Sequence, residues 1–316
     1  MTTLLFTDTH FGWKNNSMSW LNSQLNFIYK EFIPTIQKYK KTDTVRVVHL
    51  GDVFDSRSTI STYVATKVIQ AFIDIRKYCD EFVIVCGNHD FYSPNSDEVD
   101  SVKLFLNKTN ITIVNKEILT IDNNCFIPWY KWEDVLNENI ILHGVDNIFV
   151  HSDIFHDKLP QYLKHKNIYS GHIHIPQIKN NLYNLGSCYS LNFADANQER
   201  GFYVIQNNKC KFITNNTSIK FYRIYGDKVL NLNDIEEENY IELYVKESDL
   251  LKQEYIDAIK QYNEKYKHLW IIPILETNNN VDNIEFSKYD ITTLIDNLIP
   301  EDLLDYYKQV KQKLNI

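Results

Sequence analysis

The first half of the chain alternates short apolar runs with longer stretches whose apolar residues return at a helical period. Residues 3–7, 45–50 and 82–86 have the length and β-branched content of buried strands. Between them, residues 19–40 and 60–78 space their apolar side chains three and four apart, as an amphipathic helix does. Residues 97–106 read as a further helix, opening with acidic residues suited to the positive end of the helix dipole. Alternation of this kind predicts a central sheet flanked by helices.

Beyond Ile111 the pattern changes to short strands at 125–128, 148–151, around Tyr169, and at 178–185, 202–206 and 211–214, which predicts a second sheet. A polar, acidic stretch at 231–239 marks a boundary; after it come a strand at 240–245, a helix at 249–266 and a strand at 269–275. A second polar linker, Thr277-Asn278-Asn279-Asn280, leads to 291–298 and 300–314, both helical by period. The expected organisation is a large α/β domain over 1–230, a small α+β unit over 231–280 and a helical segment over 281–316.

Composition narrows this picture. A chain of 316 residues, 44% hydrophobic and 14% aromatic, can bury a sizeable core and is not a disordered one. No apolar run approaches the roughly 20 residues of a membrane span, and the N-terminus enters a strand-like run without an export signal, so no membrane partner and a cytoplasmic life are expected. The five cysteines, odd in number and without a CxxC pair, read as reduced core residues. A net charge of −8 argues against a protein that grips a long DNA duplex unaided; a nucleic-acid substrate would be held by local Lys and Arg or by a partner.

Five short blocks carry the candidate chemistry: Asp8-Thr9-His10, Gly51-Asp52-Val53-Phe54-Asp55, Gly87-Asn88-His89-Asp90, His151-Ser152-Asp153 and Gly171-His172-Ile173-His174. Each follows a predicted strand, and residues at the carboxyl ends of strands in an open α/β sheet converge on one crevice. Carboxylate oxygen, amide oxygen and imidazole nitrogen together suit a pair of Mn, Fe or Zn ions, and no thiolate is offered to select a soft metal. The DxH and HxH spacings put both side chains on one face of an extended segment. The two oxygens of Asp52 can bridge ions about 3.5 to 4 Å apart, a spacing that clamps a phosphoryl group. Gly51, Gly87 and Gly171 would let the backbone turn sharply into the site. Any one block alone would be an ordinary turn; five in order, each after a strand, point to metal.

These blocks resemble the DxH, GDxxD, GNH(D/E), H and GHxH motifs of the calcineurin-like metallophosphoesterases, over about residues 1–214. The resemblance implies a four-layer α/β/β/α sandwich with a small α+β capping domain and C-terminal helices. It also implies that Asp8, His10, Asp52 and His174 hold one metal, and Asp52, Asn88, His151 and His172 the other. His89 would lie outside the metal shell, contacting the scissile phosphate and protonating the leaving oxygen. Within that family the chain is more similar to the SbcD-type DNA-repair nucleases, and most to the phage form that serves as the nuclease subunit of a recombination endonuclease. The residues behind this are Gly51-Asp52-Val53-Phe54-Asp55-Ser56-Arg57, Ile127-Pro128-Trp129, Ser170-Gly171-His172-Ile173-His174, Arg200-Gly201-Phe202 and Asn215-Asn216-Thr217.

That resemblance implies a DNA exonuclease and endonuclease using two divalent ions, Mn2+ first, with Mg2+, Fe2+ or Zn2+ as alternatives. It further implies a homodimer, a capping domain that touches DNA, and an SbcC-type coiled-coil ATPase partner docked on the C-terminal helices. The competing functions are another dinuclear phosphoesterase acting on a phosphoprotein or small phosphodiester, and a metal-retaining scaffold that cuts nothing.

Several residues stand with two readings. Cellular members commonly carry histidine where this chain has Asp55, which either orients a ligand histidine or caps a helix. Arg57 either holds a phosphate or forms a structural ion pair. Phe91 and Tyr92 either stack on a base or pack locally, and in Trp129-Tyr130-Lys131-Trp132 the Trp129 portion is expected to close the sheet. His49 is expected to pack beside its strand, and His143, His156, His165 and His268 lack ligand spacing. Leu303, Leu304, Tyr307, Val310 and Leu314 line one helical face, suited to docking either within the chain or on the ATPase.

Overall fold

A computed structural model describes residues 1–93, 96–137 and 142–275. Two six-stranded sheets form its centre. The first runs Lys209–Thr214, Gly201–Gln206, Thr2–Phe6, Val45–His49, Glu81–Val85, Thr112–Val114. The last four of these are mutually parallel, and Gly201–Gln206 joins Thr2–Phe6 antiparallel. The second runs Gln177–Lys179, Leu182–Asn184, Asn167–Gly171, Asn147–His151, Asn124–Ile127, Leu119–Ile121, again with a parallel centre and antiparallel edges.

Three apolar layers hold four structural layers together, as the expected α/β/β/α sandwich requires. Because side chains alternate along a strand, Leu4, Phe6, Val47, Phe82 and Ile84 face helices. There they meet Phe27, Phe32, Ile36, Phe72 and Ile75. Their neighbours Leu5, Val48, Val83 and Val85 face the second sheet and meet Phe126, Phe149 and Tyr169. The outer face of that sheet, with Ile127, Ile148, Val150 and Ile168, is covered by Trp132, Val135, Leu159 and Leu163. Burial on both faces explains why these strands read as continuous apolar runs rather than alternating ones. Four of the five cysteines are buried and all are free.

The stretch expected as one helix over 19–40 is continuous but uneven: Met18–Phe27 passes through a π turn, Ile28–Phe32, into Ile33–Lys40. Pro34 lies just inside the last segment and has no N–H to give the preceding turn, and the wider turn accommodates its ring. Thr62–Tyr78 is capped by the Ser61 hydroxyl, which accepts the Val64 N–H at 3.1 Å.

Two expectations need correction. The helix expected over 97–106 begins only at Ser101; Ser96–Asp100 is a strand paired with Phe91–Ser93. Its acidic residues do serve the helix start, since Asp100 is the N-cap and accepts the Lys103 N–H at 2.6 Å, but cross-strand pairing takes the residues before it. The strand expected over 178–185 is a hairpin of Gln177–Lys179 and Leu182–Asn184, turned by Asn180 in the left-handed region.

The remaining sheet is parallel and three-stranded: Phe221–Tyr225, Tyr240–Lys246, His268–Ile274. Its first strand lies ahead of the acidic stretch. Ile241, Leu243 and Val245 pack on Tyr255 and Tyr262 of helix Gln253–Lys265, and the sheet meets the large domain where Trp20, Ile219 and Phe221 touch. The expected linker 277–280 and helices 291–298 and 300–314 lie outside the described residues. Among the described residues no helix is long and apolar enough to cross a membrane.

Candidate metal centre

Five strand ends deliver the site. Thr2–Phe6, Val45–His49 and Glu81–Val85 run out just before Asp8, Asp52 and Asn88, while Asn147–His151 ends in His151 and Asn167–Gly171 precedes His172. The first three belong to one sheet and the last two to the other, so the crevice spans the carboxyl ends of both. Four of the seven expected donors, Asp8, His10, Asp52 and His172, have left-handed backbone, with φ of 51°, 39°, 55° and 82°. Asp and His tolerate that region better than most residues, yet such strain persists only where the surroundings enforce it.

Gly51 and Gly87 allow the approach. A Cβ on Gly51, at φ 93°, would lie 2.6 Å from His151 Nδ1, and one on Gly87 would lie 2.7 Å from the Asp52 nitrogen.

The turns are laced together. The Asp8 N–H donates to the Gly51 carbonyl and the His10 N–H to that of Asp52, both at 3.0 Å. Asp90 is fully buried, and its carboxylate accepts N–H bonds from Asp52 at 2.9 Å, Val53 at 2.8 Å and Gly87 at 2.8 Å. Burial, with the Asp52 charge beside it, pushes the Asp90 carboxyl up to about 7 against the pull of those donors. His49 packs edge-on to Phe6 beside its strand, as expected, and ties two turns together: Nδ1 accepts the Gly51 N–H at 3.1 Å and Nε2 lies 2.9 Å from the Thr9 hydroxyl. Burial holds His49 down to about 3, so it stays neutral. Gln24 and Tyr189 donate to the carbonyls flanking His10.

Within this frame the donors fall into two groups. In one, His10 Nε2 lies 3.2 Å from His174 Nε2 and 3.9 Å from Asp8 Oδ1, with His174 Nε2 3.7 Å from the same oxygen. In the other, His151 Nε2 lies 3.1 Å from Asn88 Oδ1 and 3.3 Å from Asp52 Oδ2, and His172 Nδ1 lies 2.9 Å from Asn88 Oδ1. Asp52 Oδ2 is also 3.8 Å from His10 Nε2, so one oxygen faces both groups. Asp8, His10 and His174, and likewise Asp52, His151 and His172, offer atoms mutually within 4.8 Å.

The buried carboxylates and imidazoles of this cluster set one another's charge. Burial would raise the Asp52 carboxyl, but the charge and hydrogen bond of His151, with His10 and His89 near, hold it well below the usual carboxylate range. Burial pulls His151 down, yet Asp52 outweighs it and lifts the imidazole to about 9. Burial lowers His172 and His174. His151 Nδ1 is held 2.6 Å from the Leu50 carbonyl, the bond that commits a ligand histidine's other nitrogen to a metal.

The calcineurin-like phosphoesterase family matches residues 1–176, which contain both donor groups. The chain belongs to that family. Calcineurin-like phosphoesterases are hydrolases that work with divalent metals, and three clusters are where this member could bind them: Asp8, His10 and His174; Asp52, His151 and His172; and His10, Asp55 and His89. Among curated proteins, exonuclease subunit 1 of Enterobacteria phage T4 is 25% identical over 242 residues, spanning 69% of this chain and 69% of that protein.

Around the donors of this phosphoesterase, His89 donates its backbone N–H to Asp52 Oδ1 at 2.8 Å, and its Nδ1 lies 2.7 Å from the Asp55 carbonyl. Asp55 does not cap the following helix, which Ser61 does; its Oδ1 lies 3.6 Å from His10 Nδ1, a buried atom with no hydrogen-bond partner. Among the described residues Arg57 makes no ion pair. Phe91 is fully buried against Tyr130, whereas Tyr92 is 64% exposed.

Three residues that the sequence motifs contain take positioning roles that the motifs did not indicate. Asp90 ends the Gly87-Asn88-His89-Asp90 block and was legible there as a carboxylate after a glycine turn. Trp129, expected to close the sheet, lies with its ring 5.0 Å from that of His172. Arg200 donates to the His174 carbonyl while its guanidinium pairs with buried Asp195 at 2.5 Å; its signs in the sequence were its place in Arg200-Gly201-Phe202 and at the head of an apolar strand run.

Proposed function

We propose that this phosphoesterase is a two-metal DNA nuclease, cutting as exonuclease and endonuclease. In this reading Asp8, His10, Asp52 and His174 hold one ion, and Asp52, Asn88, His151 and His172 the second. The observation that carries it is the approach of His10 Nε2 and His174 Nε2 to 3.2 Å beside buried Asp8, with Asp52 Oδ2 facing both donor groups. The two rings can share one N–H at that distance, and the buried carboxylates beside them suit a cation that would take both lone pairs in its place. Oxygen and imidazole donors without thiolate fit Mn2+ first, with Mg2+, Fe2+ or Zn2+ as alternatives.

Two such ions would neutralise phosphate charge and supply a water of lowered pKa. The chain's own part is orientation and proton delivery. His89 is anchored at Nδ1 by the Asp55 carbonyl, which leaves Nε2 to protonate the leaving oxygen. Asp55 faces His10 Nδ1 across 3.6 Å, and its charge favours the tautomer that leaves His10 Nε2 free for a metal. Arg57, which makes no ion pair among the described residues, and Tyr92, which is exposed, are the substrate contacts for a phosphate and a base.

The choice of DNA rests on the likeness to a phage exonuclease subunit, and the word subunit favours an assembly. We take the partner to be an SbcC-type coiled-coil ATPase, the enzyme to be a homodimer working on double-strand ends during recombination and repair, and its place to be the cytoplasm of the host. An acidic chain of net charge −8 suits a nuclease that is handed its DNA.

Incubation with Mn2+ and linear duplex, single-stranded DNA and a small chromogenic phosphodiester tests the reading. Cutting of DNA is expected. Hydrolysis of the small ester with all DNA left intact would overturn the nuclease assignment while keeping the phosphoesterase.

A further inference from the structure

The three-stranded sheet has two unlike faces. Register places Phe221, Tyr240 and His268 in one row, Arg223, Glu242 and Trp270 in the next, and Tyr225, Tyr244 and Ile272 in the third. These rows lie on the face opposite the one that Ile241, Leu243 and Val245 turn to the helix. It is an aromatic face. Tyr240 stacks on His268 with centroids 4.1 Å apart and planes at 9°, Trp270 lies 5.9 Å from Tyr240 at 20°, and Tyr225 stacks on Tyr244 at 4.6 Å and 20°.

The inner end of this face is interdomain core, because Trp20 and Phe221 are buried there. The outer end is not: Trp270 is 45% and Tyr225 51% exposed. An ordinary sheet covers its rings or replaces them with polar residues, so rings left open in nearly parallel stacks ask for a flat ligand.

Cations flank the rings. Lys14 Nζ sits 4.3 Å from the Tyr240 centroid, and the Arg223 guanidinium 5.8 Å from that of Phe193, which is edge-on to Trp270. The one carboxylate on the outer rows, Glu242, is paired with Arg223 at 2.7 Å. The face also continues into the metal centre. Lys14 follows His10 by four residues, through a turn in which Gly12, Lys14, Asn15 and Asn16 all have positive φ. The Trp13 ring in that turn lies 6.2 Å from the ring of His10.

We infer that this face, with Trp270, Tyr225, Tyr244 and His268 as its rungs and Lys14 and Arg223 beside them, is a stacking platform for an unpaired DNA strand leading to the metal centre. The inference rests on the nuclease reading and adds how an acidic enzyme holds its substrate. Stacking needs no net positive field, tolerates any sequence and requires bases freed from their partners. A duplex would offer only its grooves and phosphates, which these rings do not suit.

The test uses the full-length chain and a short fluorescent oligothymidylate, with anisotropy read in the absence of divalent ions. Trp270→Ala and Tyr225→Ala are each expected to weaken binding about tenfold, as loss of a base-stacking ring does, and Trp270→Phe to restore most of it. Blunt duplex binding and Mn2+-dependent hydrolysis of the chromogenic diester should stay at wild-type levels in all three. Equal binding of the oligonucleotide by wild type and both alanine variants would overturn the platform, as would a matching loss on blunt duplex. Should Trp270→Ala also disturb diester hydrolysis through Phe193, Tyr225→Ala alone decides. A wild-type chain that hydrolyses the diester but neither binds nor cuts DNA refutes the nuclease reading itself. One that cuts DNA while both variants bind normally refutes only the platform.

Discussion

The strand-end crevice and the small three-stranded unit solve opposite problems. In the crevice, Asp8, Asp52, Asp90, His10 and His151 are buried, several on left-handed backbone, and each depends on another for its charge or orientation. In the small unit the buried residues are aliphatic and tyrosyl, packed between one helix and one sheet face. A network of mutually dependent buried charges is rigid and unforgiving, because removing one member leaves the others unpaired at low dielectric. An apolar layer degrades gradually as contacts are lost. Substitutions among the buried residues of the first region should therefore read out as chemistry, and among those of the second as stability.

The largest effect is expected at Asp52. Asp52→Ala removes the oxygen shared by both donor groups and the acceptor of the His89 N–H; diester hydrolysis should fall below detection and metal content should fall with it, by elemental analysis. Retained hydrolysis would undo the contrast between the two regions at its root. Next is Asp90, which touches no expected ligand directly except through the Asp52 backbone. Asp90→Asn replaces one acceptor oxygen with a donor facing N–H groups, and activity or metal affinity should drop about 10- to 100-fold, the range for a residue that orients ligands. A near-wild-type enzyme would show that the three N–H bonds are dispensable.

In the small unit, Ile241→Ala should lower stability by about 2–5 kcal/mol in chemical denaturation while diester hydrolysis keeps its wild-type rate. Loss of hydrolysis there would mean that the two regions fold or act as one.

The smallest effect is one of pH. Without bound ions His151 is raised from 6.5 to about 9, so its contribution to stability is complete below 6.5 and is lost as pH rises through about 9. The melting temperature of chelated protein should fall over that window. Metal binding needs the neutral imidazole, so metal affinity should rise over the same window and release protons as it does. A pH-independent affinity would remove His151 from the ligand set.

The crevice was the more legible region because its chemistry restricts residue choice. Carboxylate, amide and imidazole placed immediately after apolar runs suit few roles besides ligation, and Asp8, His10, Asp52, Asn88, His151, His172 and His174 come together in the fold. Residues that act through backbone atoms were harder to see. Asp90 and Arg200 hold N–H and carbonyl groups, which every sequence possesses, and Trp129 reads as core until the second sheet brings His172 to it. Local signals also misled where pairing across strands decided the outcome: the acids before Ser101 suit a helix start, yet residues 96–100 pair with Phe91–Ser93. In the small unit two strands were legible from periodicity, and so was the helix from Gln253 on; the expected start at Asp249 falls in a separate short helix, Glu247–Leu250, which ends before extended Lys252. The strand Phe221–Tyr225 was not legible, since only its parallel pairing with Tyr240–Lys246 defines it.

Metal binding and proton delivery separate most cleanly in a single variant. His89 is outside both donor groups as assigned, and its imidazole is held by the Asp55 carbonyl. Elemental analysis of His89→Ala after loading with Mn2+, alongside its rate on linear DNA, should give about two ions per chain and a rate lowered about 10²- to 10⁴-fold, the span of general-acid catalysis. One ion or none in that variant, or DNA cutting at the wild-type rate, would contradict the assignment of a two-metal centre served by a separate proton donor.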